Sequence, residues 1–256
     1  MSFHGFPCWF ELSVADPEAA QDFYAKVFGW DWCSAGMEGF DYRLARSGAD
    51  MVAGLMALKD CPEGTPPNWM LYLATDDCDA TVARLRDLGG HVWKEPADIP
   101  GTGRFAVLAD PQGACFGVLT PLPMDPPQQG GAWNQRAEGH GNWIELMTPD
   151  PKAALEVYRN LFDWRPDMYF DMGPSGGYHV FAHRGTQIGG MMGLAQAPMP
   201  NWLPYFGVAS VSKTLDVITD AGGVVVHGPT EVPGPAYVAA CRDPQGAHFA
   251  IVGPNR

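Results

Sequence analysis

The sequence has no long hydrophobic run, and its N-terminus carries no basic stretch ahead of the first apolar residues. A membrane-spanning helix needs ~20 predominantly apolar residues, and a secretory signal begins with a basic segment followed by an apolar one. We therefore expect a cytoplasmic protein without a membrane partner.

Positive charge is also scarce. The chain has 16 Lys and Arg residues against 29 Asp and Glu residues, which gives a net charge of -13, and the basic residues form no cluster. Because nucleic-acid binding needs a clustered basic surface that neutralises phosphates, we expect no nucleic-acid partner.

Several motifs that carry chemistry are missing as well. The six cysteines lie far apart without a CxxC pair, which argues against a zinc cage and against a dense disulfide framework. There is no G-x-S-x-G segment, and the glycine-rich stretches lack the strand, loop and helix of a phosphate site. The sequence therefore gives no support to nucleophilic catalysis or dinucleotide binding.

What the chain does contain is an internal duplication. The segment 9–12 (WFEL), followed by Asp16-Pro17, returns at 143–146 (WIEL), followed by Asp150-Pro151, at an offset of 134. A fainter repeat at an offset of 60 lies inside the first half and relates Trp9 to Trp69. Each half thus consists of two copies of one smaller unit.

The segment between the halves predicts a domain boundary. Pro121 to Glu138 is rich in Pro, Gly and Gln and has no apolar periodicity, which is typical of an interdomain linker. We predict an N-terminal domain over residues 5–121, a linker over 122–138 and a C-terminal domain over 139–254.

Each smaller unit is predicted to be βαβββ. Asp16-Pro17 and Asp150-Pro151 each precede apolar residues at helical spacing and predict a capped helix. The D-P-Q-G segments at 110–113 and 243–246, offset by 133, favour a type I turn before a final strand. Four such units predict an α+β protein with mostly antiparallel sheets and helices on one face.

These features together resemble the vicinal oxygen chelate superfamily, which includes glyoxalases, bleomycin resistance proteins and dioxygenases. The resemblance rests on the paired βαβββ units, the D-P-x-x-A helix that ends in Phe28-Gly-Trp30, and the D-P-x-G turn. The tandem form with W-(F/I)-E-L openings is similar to two-domain glyoxalase-like proteins of bacteria. The resemblance covers nearly the whole chain and implies that each pair of units curls into a cup whose concave face holds the site.

The resemblance also implies where a metal would bind. Metal-using members take ligands from the first, fourth, fifth and last strands of a half. Apart from Gln187, a weak oxygen donor on a fourth strand, these positions fall on residues that do not ligate a divalent metal: Trp9, Trp143, Gly117, Ala250, Met70 and Leu203. We therefore expect no metal or other cofactor, and the alternative is a divalent metal held by a shifted set of Glu145, Gln187 and His248.

Strand alternation assigns the concave face of the first strand. Phe10, Leu12 and Val14 form an apolar file toward the helix, which leaves Trp9 and Glu11 for the concave face. The predicted ligand-binding residues are Trp9, Trp69, Arg104, Trp143, Trp202, Tyr237 and His248.

Glu11 and Glu145 are candidate general bases, because a carboxylate among tryptophans has its pKa raised by desolvation. The alternative is a structural role as acceptors for the indole N–H groups. His179 and His183 share a strand face, and we expect them to be exposed or to line the cup, because third strands usually supply no ligand in the family resembled.

Three classes of function remain open. The first is a protein that binds a small apolar or aromatic molecule without a metal. The second is a metal-dependent lyase or extradiol-type dioxygenase with a non-standard ligand set, and the third is a metal-free enzyme with Glu11 or Glu145 as base. Because about 17 flexible residues can join the halves within one chain, we expect a monomer with intramolecular pairing, with a homodimer as the alternative.

Overall fold

The computed structural model describes residues 3–122, 131–173, 176–195 and 197–256. The first half contains β1 (Pro7–Val14), α1 (Pro17–Phe28), β2 (Asp31–Ser34), β3 (Arg43–Ser47), β4 (Asp50–Ala57), a 3-10 turn (Leu58–Asp60), β5 (Asn68–Ala74), α2 (Cys78–Asp87), β6 (His91–Ile99), β7 (Gly103–Ala109) and β8 (Cys115–Pro121). The second half contains β9 (Gly141–Met147), α3 (Pro151–Phe162), β10 (Arg165–Asp171), β11 (Gly177–His183), β12 (Thr186–Met192), β13 (Asn201–Gly207), α4 (Val211–Asp220), β14 (Val224–Val232), β15 (Ala236–Arg242) and β16 (His248–Gly253).

The predicted βαβββ unit is confirmed and occurs four times. The strand order of the first sheet is β2, β3, β4, β1, β5, β8, β7, β6, and the second sheet repeats it as β10, β11, β12, β9, β13, β16, β15, β14. In each unit the first strand pairs in parallel with the fourth, and the hairpins between are antiparallel. The protein is therefore an α+β protein with two tandem domains, each a curled eight-stranded sheet.

The helices begin and end where their caps are. The side chain of Asp16 accepts hydrogen bonds from the backbone N–H groups of Glu18 and Ala19, and Asp150 does the same at the start of α3. Gly89 follows α2 with a φ of 85°, a left-handed conformation that suits glycine. None of the helices in the described ranges is long and apolar enough to cross a membrane.

Backbone proximity divides the chain into two compact units. Unit 1 comprises Met1–Cys8, Leu71–Pro127 and Trp143–Leu203, and unit 2 comprises Trp9–Met70, Gln128–Asn142 and Pro204–Arg256. Each unit thus contains segments of both halves of the chain. The boundaries 5–121 and 139–254 therefore stay a prediction about the domains.

In unit 2, the Asp-Pro motif at the start of α1 is hydrogen-bonded to the D-P-Q-G turn at 243–246. The Gln245 side chain of the second D-P-Q-G turn accepts from the backbone N–H of Asp16 at 2.8 Å and donates to its carbonyl at 2.7 Å. Asp243 of the same turn accepts from the buried hydroxyl of Tyr24, which in turn accepts from the indole of Trp69. The turn is therefore more than a hairpin tip, because it fixes the start and the middle of α1.

Unit 1 repeats this arrangement with the other copies of the motifs. Gln112 bonds both backbone groups of Asp150, at 2.7 and 2.8 Å. Trp202 donates to the hydroxyl of Tyr158 at 3.1 Å, and that hydroxyl donates to Asp110 at 3.2 Å. We call Trp69–Tyr24–Asp243 and Trp202–Tyr158–Asp110 the core triads.

The segment before β9 is hydrogen-bonded to residues of the first half. Residues 123–130 of the predicted linker 122–138 lie outside the described residues. In unit 2, the indole of Trp30 donates to the carbonyl of Gly139, and Ser47 donates to that of Glu138. His140 is 4% exposed and bonds Asp50 at 3.2 Å. Residues 131–138 belong to unit 2, and side chains of the first half bond the backbone at their end.

The core triads predict the effect of removing one hydroxyl. Tyr158→Phe leaves the indole N–H of Trp202 and the buried carboxylate of Asp110 without this partner, which costs ~1–3 kcal/mol. We expect the midpoint of urea unfolding to fall accordingly. Tyr169→Phe is the control, because Tyr169 is 60% exposed, and it should change the stability by less than ~0.5 kcal/mol. Equal midpoints for the two variants would contradict a stabilising role for the triad.

Candidate functional site

In the first βαβββ unit, which begins with β1, three side chains on the concave face are linked by hydrogen bonds. In β1, Phe10, Leu12 and Val14 are fully buried against the helix side, as predicted, so Trp9 and Glu11 point to the opposite face. The indole of Trp9 donates to the hydroxyl of Tyr42 at 2.9 Å, and that hydroxyl donates to Glu11 at 2.7 Å. All three side chains lie in unit 2.

The third βαβββ unit, which begins with β9, carries the same arrangement. Trp143 donates to the hydroxyl of Tyr178 at 2.9 Å, and Tyr178 is hydrogen-bonded to Glu145, which is 9% exposed. These residues lie in unit 1. We call Trp9–Tyr42–Glu11 and Trp143–Tyr178–Glu145 the concave triads, and their tyrosines are the site residues that the sequence prediction missed.

Each concave tyrosine lies across a glycine of the fourth strand. Gly54 of β4 is in register with Glu11, and a Cβ added to it would lie 1.9 Å from the hydroxyl oxygen of Tyr42. Gly190 of β12 is in register with Glu145, and a Cβ there would lie 2.2 Å from the ring of Tyr178. The glycines are therefore required for the tyrosines to reach their partners. Glycine at matching places in both fourth strands was the signal that could have revealed the tyrosines.

The surroundings keep both tyrosine hydroxyls protonated. Burial, followed by the neighbouring charge of Glu11, raises the pKa of Tyr42 well above its ordinary value. Burial and the charge of Glu145 act in the same way on the pKa of Tyr178. Each hydroxyl is thus a donor to its carboxylate at neutral pH, and its oxygen accepts the indole N–H.

The side chains at the positions where the resemblance implies metal ligands do not fit a divalent ion. Trp9 and Trp143 use their only polar group on a tyrosine, and each tyrosine lies across a glycine of the fourth strand. On the last strand, a Cβ at Gly117 would lie 2.1 Å from the ring of Tyr72. The part of the chain that the structure describes contains no group of three His, Cys, Asp or Glu side chains that could hold a metal ion.

The alternative metal set of Glu145, Gln187 and His248 stays a prediction. Gln187 donates to Asp167, and Glu145 is bonded to Tyr178. His248 lies at the exposed start of β16. Partial burial and the charge of Arg242 lower the pKa of His248.

Two of the predicted ligand-binding tryptophans lie in the core instead. Trp69 and Trp202 are each 5% exposed, and their indoles donate to the core tyrosines Tyr24 and Tyr158. In β5, Trp69 lies on the face opposite to the concave one, which is the helix side that it shares with Leu71. The repeat relates Trp69 to Trp9 in sequence, but Trp69 and Trp202 bond core tyrosines, whereas Trp9 and Trp143 bond the concave ones.

Strand alternation also places Arg104 and Tyr237 away from the concave face. Arg104 bonds Asp79 at the start of α2 and Asp98, and it shares its strand side with the fully buried Ala106. Tyr237 shares its side of β15 with the buried Ala239. These two residues therefore lie on the helix side of the sheet.

The histidine pair of β11 is structural in part. His183 is 2% exposed, and its Nε2 donates to the carbonyl of His4 at 2.8 Å. Burial lowers the pKa of His183, so the ring is neutral at pH 7. The expectation that His183 is exposed or lines the cup is therefore wrong, because Phe181, fully buried between the two histidines, fixes this face toward the core. His179 contacts the ring of Tyr169 instead.

The glycine under each concave tyrosine allows a stringent test. Gly190→Ala places a methyl group inside the ring of Tyr178, which must move, and overpacking of this kind costs ~1–3 kcal/mol. Gly193→Ala is the matched control, because a Cβ at Gly193 meets nothing within 4 Å. We expect the urea midpoint to fall for Gly190→Ala only. Equal effects of the two substitutions would show that the tyrosine is not held against the strand.

Comparison with known proteins gives consistent results for sequence and structure. Residues 9–119 match the model of a glyoxalase-like domain, and residues 141–251 match that of the glyoxalase, bleomycin resistance protein and dioxygenase superfamily. The chain is 31% identical over 254 residues to "Putative glyoxylase CFP32" of Mycobacterium bovis, covering 98% of this chain and 95% of that protein. It is 33% identical over 264 residues to "Anthracycline biosynthesis protein DnrV" of Streptomyces peucetius, covering 97% and 93%.

Solved structures with low sequence identity share the fold. The Mn(II)-bound glyoxalase from Novosphingobium aromaticivorans is 18% identical, with a TM-score of 0.68 over 100% of this chain and 84% of that chain. The 2,3-dioxygenase LapB from Pseudomonas sp. KL28 is 14% identical, with a TM-score of 0.69 over 100% and 94%. With both halves matched by family models and two relatives above 30% identity, the chain belongs to the glyoxalase, bleomycin resistance protein and dioxygenase superfamily, with two such domains in tandem.

Proposed function

We propose that the protein binds a flat aromatic small molecule on its concave faces, beside the concave triads, without a metal ion at the positions that the family uses. The observation that carries this proposal is the concave triad itself. The same three residue types, with the same 2.9 Å bond between indole and tyrosine, occur in both halves of a duplicated chain.

The triad suits the binding of an aromatic ring because it fixes an apolar surface in place. The side chains of Trp9 and Trp143 are half-buried, and each indole is oriented by its bond to a tyrosine. An indole held in this way offers a large rigid contact area and loses little conformational entropy on binding. Binding sites for small molecules commonly combine such apolar surfaces with a few placed polar groups.

The names of two relatives agree with an aromatic ligand or a small reactive one. DnrV is named for the biosynthesis of anthracyclines, which are fused-ring aromatic compounds, and CFP32 is named as a glyoxylase. Both relatives match almost the whole of this chain. The anthracycline name supports a polycyclic aromatic molecule as the first ligand to test.

Binding without a metal is the second part of the proposal. It is supported by the side chains at the positions where the resemblance implies metal ligands, where tryptophan stands on the first strands and glycine or alanine on the last strands. A metal-dependent lyase or dioxygenase would need a different kind of ligand set, because the described residues contain no group of three His, Cys, Asp or Glu side chains that could hold a metal ion.

A metal-free enzyme is the second candidate function. It is favoured by the carboxylates of Glu11 and Glu145, which are positioned on the concave face by hydrogen bonds from tyrosine. A carboxylate placed in this way can accept a proton from a bound molecule only if the molecule lies within hydrogen-bond reach. Consumption of the bound molecule, abolished by Glu11→Gln together with Glu145→Gln, would distinguish this function from binding alone.

The binding proposal predicts the effect of removing the concave indoles. In calorimetric titrations with a hydroxyanthraquinone, after removal of metal with EDTA, the wild type should bind. Trp9→Ala combined with Trp143→Ala should raise the Kd by at least about tenfold, because aromatic anchors dominate such contacts. Reloading the protein with Mn(II) or Fe(II) should leave the Kd of the wild type unchanged.

The control substitution is Trp93→Ala, because Trp93 is 63% exposed on the edge strand β6 and bonds no member of a triad. It should leave the Kd within about twofold of the wild type. Weaker binding by Trp93→Ala but not by the double variant would move the site elsewhere. Binding that appears only after metal is added would contradict the metal-free part.

A further inference from the structure

We infer that the concave triads select aromatic ligands that carry hydrogen-bond donors, such as phenolic hydroxyl or ammonium groups, and reject those that carry carboxylates. This inference rests on the proposed function and names the chemical class of its ligand. It follows from the directions of the indole and phenol hydrogen bonds in the triads.

In unit 2, the polar hydrogens of the triad are already in use. The indole N–H of Trp9 is directed to Tyr42, and the hydroxyl hydrogen of Tyr42 is directed to Glu11. An indole has one donor and a phenol has one donor, so neither can donate to a ligand while the triad is intact. The phenolic oxygen has a second lone pair. Because the hydroxyl hydrogen is already used, this oxygen can only accept a hydrogen bond from a ligand.

In unit 1, the triad has the same direction throughout. Trp143 donates to Tyr178, and Tyr178 is bonded to Glu145. The two copies differ two residues further along the same strand face, where Ser13 of β1 accepts from Cys61 and Met147 of β9 has no hydroxyl. The acceptor-only surface is therefore clearest in unit 1, where no hydroxyl donor stands at that position.

Charge acts in the same direction as the hydrogen bonds. Burial and the charge of a neighbouring carboxylate, Glu11 or Glu145, raise the pKa of each concave tyrosine. The chain as a whole carries a net charge of -13. An anionic ligand placed against the triad would meet the tyrosine oxygen, which can only accept, and the negative charge of the glutamate. A phenol or an ammonium group would instead donate hydrogen bonds to the tyrosine oxygen and to the carboxylate.

The experiment compares three probes that share one ring system. They are 2-naphthol, 2-naphthylmethylammonium and 2-naphthoate, titrated by calorimetry into the full-length protein at pH 7. We expect the first two to bind at least about tenfold more tightly than the carboxylate, because a site of acceptors leaves a carboxylate's lone pairs unsatisfied.

A double variant tests whether the triads cause this preference. Glu11→Gln with Glu145→Gln keeps the shape of both side chains, removes the charge and adds N–H donors. It should reduce the preference for the ammonium over the carboxylate by at least about tenfold. Glu18→Gln with Glu156→Gln is the control, since it changes the net charge equally at exposed sites of α1 and α3 and should leave the preference unchanged.

The outcomes separate this inference from the proposed function. If 2-naphthoate binds as tightly as the other two probes, the selection by donors is wrong while aromatic binding stands. If the control variant alters the preference as much as the triad variant does, the overall charge is responsible and the inference is wrong. If none of the probes and no hydroxyanthraquinone binds, both the inference and the proposed function are wrong.

Discussion

A buried tyrosine hydroxyl needs a fixed acceptor, and the described part of this chain meets that need four times, with an indole on one side of the hydroxyl and a carboxylate on the other. Two of these arrangements are the core triads, where Tyr24 and Tyr158 connect a helix to a strand and to a D-P-Q-G turn within one unit. The other two are the concave triads. Because an unsatisfied buried hydroxyl or indole is costly, each triad fixes three side chains at once, and the rigid concave surface depends on the same chemistry as the core.

Much of the fold follows from local signals in the sequence. The Asp-Pro caps, the apolar file of β1 and the D-P-Q-G turns depend on residues close together in the chain, so they predict the four βαβββ units and the concave position of Trp9 and Glu11. Tyr42 and Tyr178 could not be predicted in this way. Tyr42 lies just before β3, Tyr178 lies inside β11, and the offset between them is 136 instead of 134 or 133. The hydrogen bonds of these tyrosines depend on which fourth-strand glycine each ring crosses. The register between strands decides that crossing, and it cannot be read from residues that are close in sequence.

The sequence also left open which face of its strand each repeated tryptophan occupies. Trp69 repeats Trp9 in sequence, yet β5 places Trp69 on the helix side, where it completes a core triad. The repeated tryptophans thus divide between two tasks, packing and the concave surface. The same division bears on the metal question, because Trp9 and Trp143, which stand where the resemblance implies metal ligands, use their only polar group on a tyrosine. Membership of the superfamily is therefore compatible with the proposed binding without a metal.

The chain has nine tryptophans, and their indole N–H signals in a two-dimensional ¹H–¹⁵N NMR spectrum show which of the indoles meet a bound ligand. Single Trp→Phe variants assign the signals, and the metal-depleted protein is then titrated with 2-naphthol. We expect the signals of Trp9 and Trp143 to shift with the ligand and those of Trp69 and Trp202, held in the core triads, to stay unchanged. Shifts at the core tryptophans with none at Trp9 and Trp143, or shifts that require added metal, would contradict metal-free binding beside the concave triads.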